Sequence, residues 1–175
     1  MSIEIDHIGI GVADYEAAKK FYIAALKPLG MGLVMEFTRA QTGQEDTGGF
    51  GTPGRPFIWL SATGKTVPHV HLALRAESRA QVDAFFAAAI AAGGKDNGGP
   101  GIREMYHPHY YGAFVLDPEG HNIEAVTHMP ETAKGARKPA RKVAAKPAKK
   151  AGRKAAAKKP VAKKKPAAKA KKKAR

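Results

Sequence analysis

The sequence predicts an α+β fold of two tandem βαβββ modules forming a half-barrel cleft, followed by a C-terminal tail that is disordered. Three observations carry this expectation. The chain repeats itself at an offset of 64 residues, each copy opens with a strand pattern followed by a helix pattern, and the composition changes abruptly near residue 129.

The repeat places His7-Ile8-Gly9-Ile10 on His71-Leu72-Ala73-Leu74. In the same register Asp14 meets Ser78, Phe21 meets Phe85, Tyr22 meets Phe86, Leu26 meets Ile90 and Gly30 meets Gly94, with no gap. In the first copy Ile8, Ile10 and Val12 alternate with His7, Gly9 and Gly11, the period of a strand with one apolar face. Asp14 is a candidate N-cap, because its carboxylate can accept from a first-turn amide. Ala18, Phe21, Tyr22, Ala25 and Leu26 follow at helical spacing, and Gly30 is the stop. In the second copy Val70, Leu72 and Leu74 form the strand face. Ser78 and Gln81 suggest a capping box, the stripe runs from Val82 to Ile90, and Gly93-Gly94 ends it.

Behind each helix lie shorter extended segments, expected at 31–38, 47–51 and 56–62 in the first half and at 101–106, 111–117 and 121–128 in the second. A ferredoxin-like α+β sandwich is the competing architecture. Two domains are therefore expected, a folded one at 1–129 and a basic tail at 130–175.

Charge divides the chain in the same place. Residues 1–129 carry 10 Lys+Arg and 14 Asp+Glu, whereas residues 130–175 carry 20 Lys+Arg and a single acid, Glu131. The basic pI thus belongs to the tail alone. With no cysteine, disulfides and thiolate metal sites are excluded. No apolar run approaches the roughly 20 residues of a membrane span, and the acidic, alternating MSIEIDHIGIGV start is unlike a signal peptide. A cytoplasmic protein that contacts no membrane is the expectation.

The strand faces point to a site. If the aliphatic face of each first strand covers its helix, then His7 and His71 project from the opposite, concave face, where Gly9, Gly11 and Ala73 leave room for a ligand. His69 shares that face and reads as cleft lining or as a donor supporting a ligand. Asp117-Pro118-Glu119-Gly120 reads as a tight turn. It leads into a strand in which Glu124 stands between Ile123 and Ala125. A carboxylate in such a strand needs a partner, and two imidazoles holding a divalent cation would supply one.

The β-α-β-β-β duplication, the IDHIGIGV opening, the HLALRA echo and the DPEGHNIEAV ending resemble the vicinal oxygen chelate superfamily, which includes glyoxalase I, extradiol dioxygenases and bleomycin-resistance proteins. The resemblance covers about residues 3–128. It implies metal ligands on the first and last strands of each module, here His7, His71 and Glu124, with Trp59 standing where a glyoxalase would have a fourth. Indole cannot ligate, so the implied set is two histidines and one carboxylate around Fe2+, Mn2+, Ni2+ or Zn2+. An extradiol enzyme would also carry an aromatic hydroxyl shortly before the Asp-Pro turn. Phe114 stands there instead, with Tyr110 and Tyr111 earlier in the chain.

The segment from Arg103 to Tyr111 supplies candidate acid–base groups in His107, His109, Tyr110 and Tyr111. Arg103, Phe50, Trp59 and His69 are candidate substrate contacts. The expected activity is that of a metal-dependent dioxygenase, lyase or isomerase on a small oxygen-bearing molecule, and homodimerisation is open to it. A metal-free small-molecule binding module is the alternative.

From Pro130 onward the chain is nearly all Lys, Ala, Pro and Arg, and it resembles linker-histone tails. Lys149, Lys150, Arg153, Lys154, Lys163, Lys164, Lys165, Lys171, Lys172 and Lys173 are expected to neutralise nucleic-acid phosphates without sequence preference. That would make the protein nucleoid-associated, and in one further reading the tail is its main function.

Overall fold

In each module a strand with one aliphatic face turns directly into a capped helix that covers that face. The computed structural model describes residues 4–130. Strand β1 (Ile8–Gly11) leads into helix α1 (Tyr15–Leu26), whose N-cap Asp14 accepts from the Ala17 amide at 2.9 Å. A 3-10 turn at Lys27–Leu29 ends at Gly30, which has a φ of 74°. Strand β2 (Gly32–Phe37), the short helix α2 (Arg39–Thr42), β3 (Thr47–Thr52) and β4 (Arg55–Ser61) complete the first module. The second repeats the plan with β5 (His71–Arg75), α3 (Arg79–Ala91), β6 (Lys95–Ile102), β7 (Tyr111–Leu116) and β8 (Asn122–Thr127). The Ser78 hydroxyl caps α3 through the Gln81 amide, while the Gln81 side chain reaches back to the Glu77 amide rather than to Ser78.

The two sheets have the same order, β1-β4-β3-β2 and β5-β8-β7-β6. In both, the first and last strands of the module run parallel and the remaining pairs are antiparallel. The tandem βαβββ architecture is thus established, and the two sheets are separate among the described residues. Ile10, Phe21, Tyr22, Leu26, Phe50, Leu60, Phe85, Val115 and Ile123 form one apolar core spanning both modules, with α1 packed on α3.

The acidic turn ties the modules together. The buried Asp117 accepts from the Tyr22 hydroxyl at 2.9 Å through Oδ2, and from the Glu119 and His121 amides through Oδ1. Glu119 reaches the other module, where its Oε1 accepts from the amides of Ala13 and Asp14. Gly120 closes the turn at φ 88°, a conformation that glycine adopts without strain.

Two expectations need correction. The segment placed at 101–106 is strand β6 at Lys95–Ile102, and residues 103–110 form turns instead. Asn97-Gly98-Gly99-Pro100 looks locally like a turn, but pairing with β7 draws it into the sheet through irregularities at Gly98 and before Gly101. Helix α2 fills what was expected to be loop. No helix among the described residues is long and apolar enough to cross a membrane. The tail at 131–175, including every lysine and arginine expected to neutralise phosphates, lies outside the described residues.

Candidate functional site

On the second sheet, register aligns Ala73, Glu124, Phe114 and Gly98 across all four strands. Because side chains alternate along each strand, Ile123, Ala125, Ala113 and Val115 face the helix, and this row faces away from it. Glu124 nevertheless has only 1% of its surface exposed. Such a carboxylate must be satisfied locally, and it is: Oε2 lies 3.0 Å from His71 Nε2, and Oε1 accepts from the Tyr110 hydroxyl.

The three groups converge for identifiable reasons. His71 starts β5, two residues before Ala73 on the same face, so its ring reaches Glu124 diagonally. Tyr110 immediately precedes β7, and its ring passes over Gly112. A Cβ on Gly112 would come within 3.0 Å of Glu124 Oε1 and 3.1 Å of the Tyr110 ring, so glycine makes the junction possible. Burial, and then the bond to Glu124, hold the Tyr110 phenol above the ordinary tyrosine range. The His71 side chain is 54% exposed, and its Nε2 is taken by the carboxylate, which leaves Nδ1 as the nitrogen open to a ligand. A ring fixed by a buried carboxylate, with its far nitrogen free, can take up and return a proton. Phe114 flanks it, the ring centroids 6.1 Å apart.

The first sheet carries the matching row Gly9, Trp59, Gly49 and Met35. Trp59 takes the place of Glu124, lies against Gly49 and stacks on Phe37 with centroids 6.3 Å apart. A cleft of about 590 Å³ opens here, lined by Asp6, His7, Gly9, Thr47, Arg55 and Trp59.

Not every expected site residue reaches the second-sheet centre. His7 does not join His71 and Glu124; its Nδ1 pairs with Asp6 at 2.6 Å on the first-sheet side. Among the described residues, no three His, Cys, Asp or Glu side chains converge as a metal site. Two donors therefore meet where three were expected, and the set in one chain does not fit the implied cation. Phe50 is fully buried against Tyr22 and is core rather than cleft wall, because β3 turns it toward α1. Tyr111 points to the helix side, where its hydroxyl donates to Asp83 and Arg79 lies over its ring. His69 packs by the Asp-Pro-Glu-Gly turn, its ring edge-on to His121 at 5.8 Å. His107 and His109 touch each other, and His107 meets His128, which in turn packs on Tyr110. They sit on the exposed approach to Tyr110 and make no contact with Glu124.

Sequence reasoning passed over Gly112 and gave Phe114 no part in the site. The signal available was alternation, since Phe114 is the cross-strand neighbour of Glu124 and position 112 shares its face. His121 was also missed. It is fully buried, with Nδ1 accepting from the Val70 amide at 3.2 Å, and it fastens the entry of β5 to β8.

A family model described as Glyoxalase/Bleomycin resistance protein/Dioxygenase superfamily matches residues 4–125. A crystal structure of a glyoxalase/bleomycin resistance protein from Albidiferax ferrireducens T118 is 31% identical, with a TM-score of 0.56, over 70% of this chain and 96% of its own. Similar folds with lower identity include a glyoxalase/bleomycin resistance protein/dioxygenase family enzyme from Burkholderia phytofirmans PsJN (19% identity, TM-score 0.53, 73% of this chain and 100% of its own). A corresponding domain from Frankia sp. EAN1pec is 18% identical at a TM-score of 0.55, covering 73% of this chain and 93% of its own. No match was found among curated proteins.

Proposed function

The chain belongs to the Glyoxalase/Bleomycin resistance protein/Dioxygenase superfamily, and on that footing we propose that it is an enzyme moving protons on a small oxygen-bearing molecule held on the second sheet. The observation that carries this reading is the buried Glu124 carboxylate engaged on both oxygens, by His71 on one and Tyr110 on the other. In it, His71 Nδ1 takes a proton from the bound molecule, Glu124 stabilises the ring cation, and Tyr110 holds the carboxylate in place. The exposed turns at 103–110 border the approach.

A second reading keeps a divalent cation. It is favoured by the equivalence of His7 to His71 in the repeat, and by the first-sheet cleft in which His7 stands. This reading requires a second copy of the chain to bring its His7 to the His71 and Glu124 of the first. Fe2+, Mn2+, Ni2+ or Zn2+ bound there would polarise adjacent oxygens of a chelated substrate.

One experiment separates the two readings. The full-length protein is incubated in D2O with a panel of small 2-oxo and 2-hydroxy compounds, with and without exhaustive chelation, and deuterium uptake is followed by proton NMR. Proton transfer by the protein's own groups predicts exchange that survives chelation and is lost in His71→Gln and Glu124→Gln. Exchange abolished by chelation and restored by added metal supports the cation. No exchange in any form defeats the enzymatic reading and leaves a binding module.

For residues 130–175 we propose non-specific nucleic-acid binding, supported by 20 Lys+Arg against one acid.

A further inference from the structure

The second-sheet face carries a cation, expected from the sequence as a substrate contact, that the proton transfer proposed above does not use. Arg103 lies over Phe114, its guanidinium carbon 5.6 Å from the ring centroid, on the same phenyl that His71 flanks at 6.1 Å. Its Nη2 donates to the Gly99 carbonyl at 2.7 Å, and its Nη1 donates to the Ile102 carbonyl at 3.3 Å. These two bonds aim the side chain and leave its other N–H groups free. Glycine clears its place, since a Cβ on Gly101 would stand 2.7 Å from Nη1. The Arg103 amide also donates to the Tyr110 carbonyl at 2.8 Å, which ties it to the residue that holds Glu124. No carboxylate among the described residues lies within salt-bridge distance of it.

From this the geometry points to a substrate of defined class: a compact carboxylic acid whose carboxylate is gripped by Arg103, whose body rests on Phe114, and whose reacting carbon or oxygen faces His71. A guanidinium held by backbone carbonyls over an aromatic ring is oriented before a ligand arrives, and its planar fork matches a carboxylate in a way an ammonium does not. Each element needed for one small acid borders a single phenyl ring. This inference rests on His71 and Glu124 being the reactive centre.

The test is calorimetric binding of benzoate and its neutral isostere benzamide to the full-length protein at fixed salt. The tail is present in every sample, so any general attraction of anions to its lysines is common to all of them. The expected result is benzoate binding at least about tenfold tighter than benzamide, as a charge-assisted bond predicts. Arg103→Met should lower benzoate to the benzamide level, and Arg103→Lys should fall between. Thermal melts identify any variant that fails to fold, and Arg103→Lys, which keeps the charge and length, then decides. Equal affinity for the two probes, or benzoate binding unchanged in the Arg103 variants, overturns the assignment. Discrimination by Arg103 without deuterium exchange on any compound would uphold the carboxylate site and defeat the proton-transfer reading. Exchange that is indifferent to Arg103 would do the reverse.

Discussion

Trp59 and Glu124 hold the same place in the two modules: Trp59 stands opposite Gly9 in register and Glu124 opposite Ala73, and those two partners are equivalent positions of the repeat. The duplicated frame has thus been used for two purposes. On one sheet the position carries an indole resting on Gly49 and stacked on Phe37. On the other it carries a carboxylate wrapped by His71, Tyr110 and Phe114. The sequence difference at this single row divides an aromatic shelf from a buried carboxylate bonded to a histidine and a tyrosine.

Tyr110→Phe should keep the fold and lose about 1–3 kcal/mol of stability, because one oxygen of a buried carboxylate then has no donor. Urea denaturation of the two proteins measures the difference. An unchanged midpoint would show that Oε1 finds water instead.

The joint between modules predicts an unequal pair. Tyr22→Phe removes a donor from Asp117 inside the core and should cost about 1–3 kcal/mol. Glu119→Ala removes bonds to two exposed amides ahead of α1 and should cost under about 1 kcal/mol. Thermal denaturation ranks them, and a larger loss from Glu119→Ala would contradict this account of the clamp.

Three of the five tyrosines, Tyr15, Tyr22 and Tyr110, have phenols pushed above the usual range, each by burial first and then by a carboxylate neighbour. A raised folded-state pKa contributes stability that is complete below the unfolded value of about 10 and is lost as pH rises toward the folded value. Ultraviolet titration should therefore show the signal of these three phenols rising only above about pH 10, together with unfolding. Five tyrosines titrating together near pH 10 in a folded protein would refute the assigned environments.

In gel shifts at low salt, the full-length protein should bind duplex DNA and a chain ending at His128 should not. If about ten phosphates are neutralised, log K should fall with log salt at a slope of about −9. Equal binding by both chains would remove the tail from the account.

Much of this architecture was legible in the residues. Offset repetition gave both modules, and Asp14, Ser78 and Gly30 marked helix ends because caps act locally. Glu124 stood out because a carboxylate in an apolar strand demands a partner. The rest depended on contacts that spacing cannot show. Tyr110 was expected as an acid–base group but not as the partner of Glu124, and it is the gap at Gly112 that lets its ring reach that carboxylate. Strand β6 was misplaced because its glycines signal a turn until β7 pairs with them. The equivalence of His7 to His71 was real in sequence, but equivalent positions on two separate sheets need not face one ligand.

The most direct measurement is long-range proton–nitrogen NMR on the His71 imidazole in the full-length protein and in Glu124→Gln. A proton held between Nε2 and the carboxylate predicts that neutral His71 is the Nε2–H form, with Nδ1 unprotonated, and that this preference weakens when the carboxylate becomes an amide. A neutral ring protonated on Nδ1, or a tautomer indifferent to Glu124, would contradict the pairing on which the proposed chemistry depends.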